Sequence, residues 1–253
     1  ASDWSSDVCS SDLMGDIYFF LIFFTAILGF IVSGILVFVN KTDTFTSRLL
    51  AGFLFFFSLF AMHYTLLTTD FFRMVPHLWK VFVWVSFLYM PISYVYVRSV
   101  LKQSFRFERW DFLLILPGIL YFASLFPFYL QPASEKLANM DRMKLHPELI
   151  PMEPESILPN GTGYVLRVLL GVGCVTGQYY HLFQWKKKAR GNIGQYEQNR
   201  NTYRWLFRFT SISAVFWIMV LLQFMFIKVL AGHSNFVIIS TIIGTILFVC
   251  LYL

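Results

Sequence analysis

Three ionisable residues lie in or beside strongly apolar stretches, where they could bind a small molecule. His63 lies within one such stretch, Arg73 follows it closely, and Arg167 lies near the start of another. A histidine can bind a ligand or exchange a proton near its ordinary pKa of about 6.5, and an arginine can hold an anionic group. Two of them also have a structural explanation: His63 can form a hydrogen bond between helices, and the guanidinium of Arg167 can reach the membrane surface or pair with another group. The hypothesis is a ligand-binding site formed by His63, Arg73 and Arg167, with the ligand unknown.

Motifs for covalent or metal chemistry are missing from the sequence. It contains no HExxH, GxSxG, Walker or GxGxxG motif, and no Asp or Glu lies at the centre of an apolar stretch. The cysteines Cys9, Cys174 and Cys250 form no CxxC pair, so neither a disulfide framework nor a metal site is indicated. We therefore expect no enzyme activity, no metal and no cofactor. A proton-coupled transporter is disfavoured as well, because its relays usually use intramembrane carboxylates.

The composition indicates which elements must position these residues. Of the 253 residues, 57% are apolar and 13% are charged, whereas a soluble domain carries about 25% charged residues. The apolar residues also form blocks of about 20, the length that an α-helix needs to cross a bilayer. This predicts an all-α integral membrane bundle of about seven transmembrane helices whose main partner is the lipid bilayer. The predicted spans are residues 18–39, 49–67, 78–97, 112–130, 164–183, 206–229 and 236–253.

The distribution of Lys and Arg predicts the orientation of the bundle. Alternate connecting segments carry 12 basic residues on one side and 6 on the other. Cytoplasmic loops carry the excess, so we expect the N-terminus outside, the C-terminus inside and a multi-pass location in the cytoplasmic membrane. The net charge of +6 then has a topological origin and does not indicate nucleic-acid binding. The run Lys186, Lys187, Lys188 and Arg190 is expected to anchor the fifth span at the membrane interface.

Smaller features refine this picture. Pro91 and Pro117 lie inside predicted spans, where neighbouring helices can satisfy the freed carbonyls. Gln178 and Gln223 are expected to form hydrogen bonds between helices. Residues 131–162, rich in Pro, Glu and Lys, are expected to form one long solvent-exposed loop.

Both ends of the chain look unnatural. Residues 1–13 are polar and contain neither Lys nor Arg, unlike a signal peptide, whereas Met14 opens a clean apolar segment. We expect residues 1–13 to be a non-native leader and residues 14–253 to form the transmembrane domain. The chain ends inside an apolar run without a cap or polar tail, which suggests that a cytoplasmic domain followed Leu253.

Three stretches carry a family resemblance. They are residues 27–56, with Asn-Lys after the first span, residues 90–136, with a Tyr-x-Tyr-Val-Arg-Ser block, and residues 166–206, from Leu-Arg through the lysine run to Tyr-Arg-Trp-Leu. Together they resemble the membrane region of bacterial AraC-type transcription regulators, in which several helices precede a cytoplasmic helix-turn-helix domain. The resemblance rests on helix spacing and covers roughly residues 14–253. No residue that contacts DNA can be assigned, because that domain would begin after the last helix.

This resemblance implies a function. The chain would be the membrane sensor domain of a one-component transcription regulator, relaying an external or membrane signal to DNA only through the missing domain, and it could act as a homodimer. One alternative is a sensor domain that feeds a histidine kinase. A small membrane transporter or channel is another alternative, and a membrane enzyme is the least favoured.

Overall fold

The computed structural model describes residues 4–39, 44–67, 69–102, 108–109, 111–145, 156–189 and 199–230. These residues form helices and their connections and contain no β-strand, so the all-α prediction is confirmed for them. The seventh predicted span, residues 236–253, lies outside the described residues. The helices are α1 (Trp4–Phe38), α2 (Thr44–Leu67), α3 (Phe71–Met74), α4 (Tyr89–Lys102), α5 (Asp111–Ser124), α6 (Phe126–Leu130), α7 (Ala133–Leu145), α8 (Thr162–Ala189) and α9 (Arg200–Leu230).

The long helices pack side by side in the order α1, α2, α4, α8, α9. Helices α1 and α2 are antiparallel, because Ser33 Oγ donates to the carbonyl of Ala51 (2.9 Å) while the ring of Phe30 packs on Phe55. Such serine-to-backbone bonds are typical of closely packed helices in apolar surroundings.

Helices α8 and α9 are also antiparallel. Tyr179 Oη shares a hydrogen bond with Ser211 Oγ (3.0 Å), and Tyr164 Oη donates to the carbonyl of Val220 (2.9 Å). Ser211, near the start of α9, thus pairs with Tyr179, and Val220, further along α9, pairs with Tyr164, near the start of α8. The two helices therefore run in opposite directions.

The main core lies where α2, α4, α8 and α9 meet, and aromatic rings dominate it. Phe53 packs edge-on against Phe209 with ring centroids 5.2 Å apart, and Phe57 packs in the same way against Tyr89 at 5.1 Å. Edge-to-face pairs add about 0.5–1.5 kcal/mol each to the effect of burying the rings. These contacts hold the middle of the bundle together.

Large apolar side chains also cover the outside of the bundle. Phe20, Phe24 and Ile31 on α1 are more than half exposed, as are Phe112 and Ile119 on α5. A surface of this kind is suited to lipid tails, not water. Five segments of the described chain are long and apolar enough to cross a membrane: Phe19–Phe38, Phe45–Leu67, Pro76–Lys102, Asp111–Leu130 and Arg200–Leu222.

The sequence predicted one continuous helix for the third span, residues 78–97, and the structure shows that this prediction was wrong. Residues Pro76–Leu78 and Val83–Phe87 form 3-10 turns, and the α-helix α4 begins only at Tyr89. Pro91 explains this start: it has no N–H to give to the carbonyl four residues earlier, so it is best accommodated in the first turn of a helix. Lys80, between the two turns, has a positive φ of 63°.

The fourth predicted span is interrupted for the same reason. Helix α5 ends at Ser124 and α6 begins at Phe126, so Pro127 again falls in a first turn. Pro117, in contrast, stays inside α5 as expected.

The expectation that residues 131–162 form one solvent-exposed loop was wrong. Helix α7 lies within it and packs against the 3-10 turn Pro76–Leu78. Leu137, Met140 and Met143 recur every three residues, so they share one helical face and pack in a small apolar cluster with Phe72. Because residues 131–162 are rich in Pro, Glu and Lys, this three-residue spacing of apolar side chains was not recognised in the sequence.

Candidate functional site

His63 is buried on α2 between aromatic rings. Its ring centroid lies 5.2 Å from that of Phe72 and 6.4 Å from that of Phe82. Within the described part of the chain, neither ring nitrogen has a hydrogen-bond partner, so the expected hydrogen bond between helices is not seen. A neutral imidazole always carries one N–H donor, and leaving that donor unpaired in an apolar site is unfavourable.

Arg73 and Arg167, the other two residues of the predicted ligand site, lie in different surroundings. Arg73 on α3 is partly exposed and forms an ion pair with Asp141 of α7, with 2.8 Å between Nη2 and Oδ1. Arg167 on α8 places its guanidinium carbon 5.2 Å from the ring centroid of Phe87 and 5.6 Å from that of Tyr121. Arg73 is adjacent to Phe72, which contacts His63, whereas Arg167 lies against a separate pair of rings.

Two buried lysines belong to the same part of the fold: Lys80 follows Arg73 in the chain, and Lys136 lies on α7, the helix that carries Asp141. Neither was assigned to a site from the sequence. Lys80 is 7% exposed and Lys136 only 1%. The ammonium of Lys80 lies 5.1 Å from the ring centroid of Trp79, and both ammonium groups lie over the ring of Phe128, at 5.6 Å and 5.2 Å. We call this group the Lys80 cluster: Arg73, His77, Lys80, Lys136 and Asp141.

Lys136 is held by a backbone carbonyl and by the ring of His77. Its Nζ donates to the carbonyl of Tyr129 (3.0 Å) and shares a hydrogen bond with Nδ1 of His77 (3.1 Å). Burial lowers the pKa of this lysine, because removing an ammonium from water disfavours its charged form. Its position one helical turn before Met140 was the signal available in the sequence, since residues four apart share a helical face.

A second polar group lies where α4 ends and α5 begins. The Arg98 guanidinium contacts the Asp111 carboxylate at 2.5 Å, and both side chains are at least 95% buried. Asp111 also accepts a hydrogen bond from the backbone N–H of Glu108 (2.8 Å), which holds the connecting segment against the ion pair. We call Arg98, Lys102, Glu108 and Asp111 the Arg98 cluster.

The exposed side of the Arg98 cluster is a second ion pair. Lys102 Nζ donates to Glu108 Oε1 at 3.0 Å, and Arg98 lies 3.8 Å from the other oxygen of the same carboxylate. The hydrogen bond from Lys102, together with the nearby charge of Arg98, lowers the pKa of Glu108.

Polar contacts also join α4 to α8. Gln178 Nε2 donates to Ser93 Oγ at 2.9 Å, which confirms the predicted role of this glutamine between helices. One turn further along α8, His181 Nε2 shares a hydrogen bond with Tyr94 Oη (3.1 Å), and the guanidinium of Arg98 lies over the same tyrosine ring. The side chain of Gln223 lies outside the described side chains.

The predicted interface anchor lies in the last turn of α8. Lys187 and Lys188 are exposed, while Lys186 places its ammonium 5.8 Å from the ring of Tyr203 on α9. Arg190 lies outside the described residues. The position at a helix end is compatible with an anchor, and the anchoring role itself stays a prediction.

Comparisons of the chain with protein-family models, with curated proteins and with solved structures returned no match. The resemblance to AraC-type regulators therefore stays a prediction from the sequence.

Proposed function

We propose that the chain is the sensory region of a membrane protein that controls transcription. In this proposal the bundle crosses the cytoplasmic membrane seven times, with the N-terminus outside and the C-terminus inside. The five long apolar segments and the excess of Lys and Arg on alternate connections support it. In this proposal α8, which packs between α4 and α9, is a further crossing.

One observation carries the proposal: the segment from Pro76 to Lys102 connects two different polar clusters. It begins in the Lys80 cluster and ends in the Arg98 cluster. The antiparallel segment Asp111–Leu130 contacts both, because Asp111 pairs with Arg98 while Tyr129 Oη donates to the carbonyl of Lys80 (3.4 Å). A change at one cluster can thus reach the other through two packed segments.

The ion pair between Arg98 and Asp111 is expected to contribute little net free energy, so a modest signal can separate the two side chains. For a buried ion pair, the attraction between the charges is largely offset by the loss of their hydration, so its net contribution is small. A signal that acts differently on two packings of the bundle shifts their balance by that difference in free energy. Under this proposal, one packing keeps Arg98 on Asp111 and the other separates them.

Transcript profiling tests the proposed output. In the source organism, deletion of the gene that encodes this chain should change the transcription of a limited set of genes, and the wild-type gene should restore it. A double variant, Arg98→Met with Asp111→Leu, should restore the protein level but not the response. The matched control, Lys187→Gln, changes an exposed charge outside both clusters and should behave as the wild type.

A flux assay separates this proposal from the transporter or channel alternative. The purified chain in liposomes should pass neither ions nor small organic anions faster than empty liposomes do. Unchanged transcripts after deletion, or solute flux through the purified chain, would contradict the sensory proposal.

A further inference from the structure

The hydrogen bond between His77 and Lys136 joins two elements that are 59 residues apart in the chain. His77 lies in the 3-10 turn Pro76–Leu78, Lys136 lies on α7, and the atoms Nδ1 and Nζ are 3.1 Å apart. His77 is exposed, whereas Lys136 is 1% exposed. The bond therefore connects an imidazole that can exchange protons with water to an amine that the fold encloses.

Only one of these two side chains can carry a positive charge while the hydrogen bond exists. A charged lysine has three N–H donors and no acceptor, so Nδ1 of His77 must accept, and the imidazole proton then lies on Nε2. If the amine is neutral instead, it can accept from Nδ1–H. When both side chains are protonated, both atoms are donors, the bond is lost, and two positive charges face each other.

The surroundings of Lys136 make the loss of this bond costly. Its other hydrogen-bond partner is the carbonyl of Tyr129 (3.0 Å), and no carboxylate of the described residues forms an ion pair with it. Asp141 on the same helix is paired with Arg73. On the elements that meet here, the structure describes these other ionisable side chains: His63 on α2, Asp70, Arg73 and Lys80 on residues 69–80, Tyr129 on α6, and Glu135, Asp141 and Arg142 on α7.

The residues that follow the turn have an unusual backbone conformation. Lys80 has a φ of 63°, in the left-handed region that a lysine rarely adopts, and such a conformation persists only where the surrounding contacts hold it. Tyr129 contributes two of these contacts, since its carbonyl accepts from Lys136 and its hydroxyl donates to the carbonyl of Lys80 (3.4 Å). Loss of the bond to His77 would release one end of this segment, which leads through Val83–Phe87 into α4.

We infer that the contact between His77 and Lys136 is sensitive to protons: it holds the turn Pro76–Leu78 on α7 while His77 is neutral and releases the turn when His77 is protonated. The inference deepens the proposed function and rests on it for its meaning, because in the proposed orientation His77 faces the outside and external acid would be the signal. The release is measured on the purified protein, so its outcome is independent of any effect on transcription.

Hydrogen exchange of the full chain in neutral maltoside micelles tests the release. The amides of Leu78, Trp79 and Val81 donate to carbonyls three residues earlier, so their exchange reports on the turn and the residues after it. The comparison uses pH values of about 5.5 and 7.5, on either side of the ordinary pKa of a histidine. Relative to the intrinsic rate at each pH, exchange at these amides should be about tenfold faster in acid, the usual effect of losing one hydrogen bond to a charged group.

Two variants assign the effect to this contact. His77→Asn cannot be protonated, but its Oδ1 can accept from Lys136 at the position of Nδ1, so the turn should stay protected at both pH values. Lys136→Met removes the donor and should also abolish the pH dependence. The matched control, Lys187→Gln, changes an exposed lysine outside the cluster and should keep the pH dependence of the wild type.

The wild-type comparison keeps the inference testable even when a variant fails to fold. Equal relative exchange of the wild type at the two pH values would overturn the inference. A folded His77→Asn or Lys136→Met variant that keeps the acid response would assign it to another group and overturn the role of this contact. An intact acid response combined with unchanged transcripts after deletion of the gene would contradict the sensory function alone.

Discussion

The two polar clusters contain similar residue types but bury them differently. In the Arg98 cluster the buried cation meets a buried carboxylate, and the exposed residues form a second pair. In the Lys80 cluster the ammonium groups of Lys80 and Lys136 lie over the ring of Phe128, while the carboxylate of Asp141 is exposed with Arg73. Removing one member of a buried ion pair leaves its partner's charge uncompensated, whereas removing a buried charge that has no carboxylate beside it relieves a desolvation cost. Opposite stability effects are therefore expected when a buried charge, Asp111 or Lys136, is removed from each cluster.

The largest effect is expected from Asp111→Ala. It leaves the guanidinium of Arg98 buried without its carboxylate, which destabilises proteins by about 3–5 kcal/mol. Asp141→Ala, the matched change in the Lys80 cluster, removes a half-exposed partner and should change stability by less than about 1 kcal/mol. Unfolding in detergent micelles, followed by circular dichroism, measures both. Similar losses in the two variants would remove the distinction between the clusters.

A smaller loss of stability is expected when a side chain is added at a tightly packed position of α8, the helix beside α4. A Cβ added at Gly171 would lie 2.1 Å from a ring atom of Trp217, whereas one at Gly173 meets nothing within 4 Å. Gly171→Ala should destabilise by about 1–3 kcal/mol through overpacking, and Gly173→Ala should stabilise by about 0.5–1 kcal/mol. Melting temperatures of the two variants in the same detergent test this difference, and equal values would place α8 and α9 further apart than the structure does.

A substitution at Lys136 should stabilise the protein, which is the opposite of the effect expected at Asp111. Lys136→Met removes a buried charge that has no carboxylate partner among the described residues, so we expect stabilisation of about 1 kcal/mol or more. The same substitution at exposed Lys187 should stay within about 0.5 kcal/mol of the wild type. Destabilisation by Lys136→Met would make this lysine a structural residue.

The pH dependence of stability gives a second test of whether the charge on Lys136 is unfavourable in the folded protein. Because burial lowers its pKa, the folded state binds fewer protons than the unfolded state between the lowered value and the ordinary value of 10.5. Stability should therefore rise with pH through that window, as the buried lysine loses its charge. The Lys136→Met variant should lack this rise, and the difference between the two melting profiles measures it.

The smallest effect is expected from Glu108→Gln, on the exposed side of the Arg98 cluster. The pKa of Glu108 is held below its ordinary value of 4.5, so its stabilising effect is present above that pH and is lost as the pH falls through the lowered pKa. The wild type and the variant should therefore differ slightly at pH 7 and converge in acid. High salt should also reduce the difference, because exposed charges are screened.

Segments long and apolar enough to cross a membrane could be predicted because length and hydropathy are properties of contiguous residues. The position of Lys136 could not, because the composition of residues 131–162 resembles that of a loop and only its packing shows the buried face of α7. Of the three predicted ligand residues, Arg73 belongs to the Lys80 cluster and His63 lies nearby, packed on Phe72, while Arg167 lies against other rings. Their polarity was visible in the sequence, whereas their neighbours were not.

The sequence by itself determined the helical class, the segments that can cross a bilayer and the bias of basic residues on alternate connections. These depend on free energies of transfer that add residue by residue along the chain. Only the tertiary structure decided that Arg98 meets Asp111, that Gln178 meets Ser93 and that Lys80 and Lys136 lie on the same ring of Phe128. Partners distant in the sequence are set by how the helices pack, and one pattern of hydropathy is compatible with many such packings.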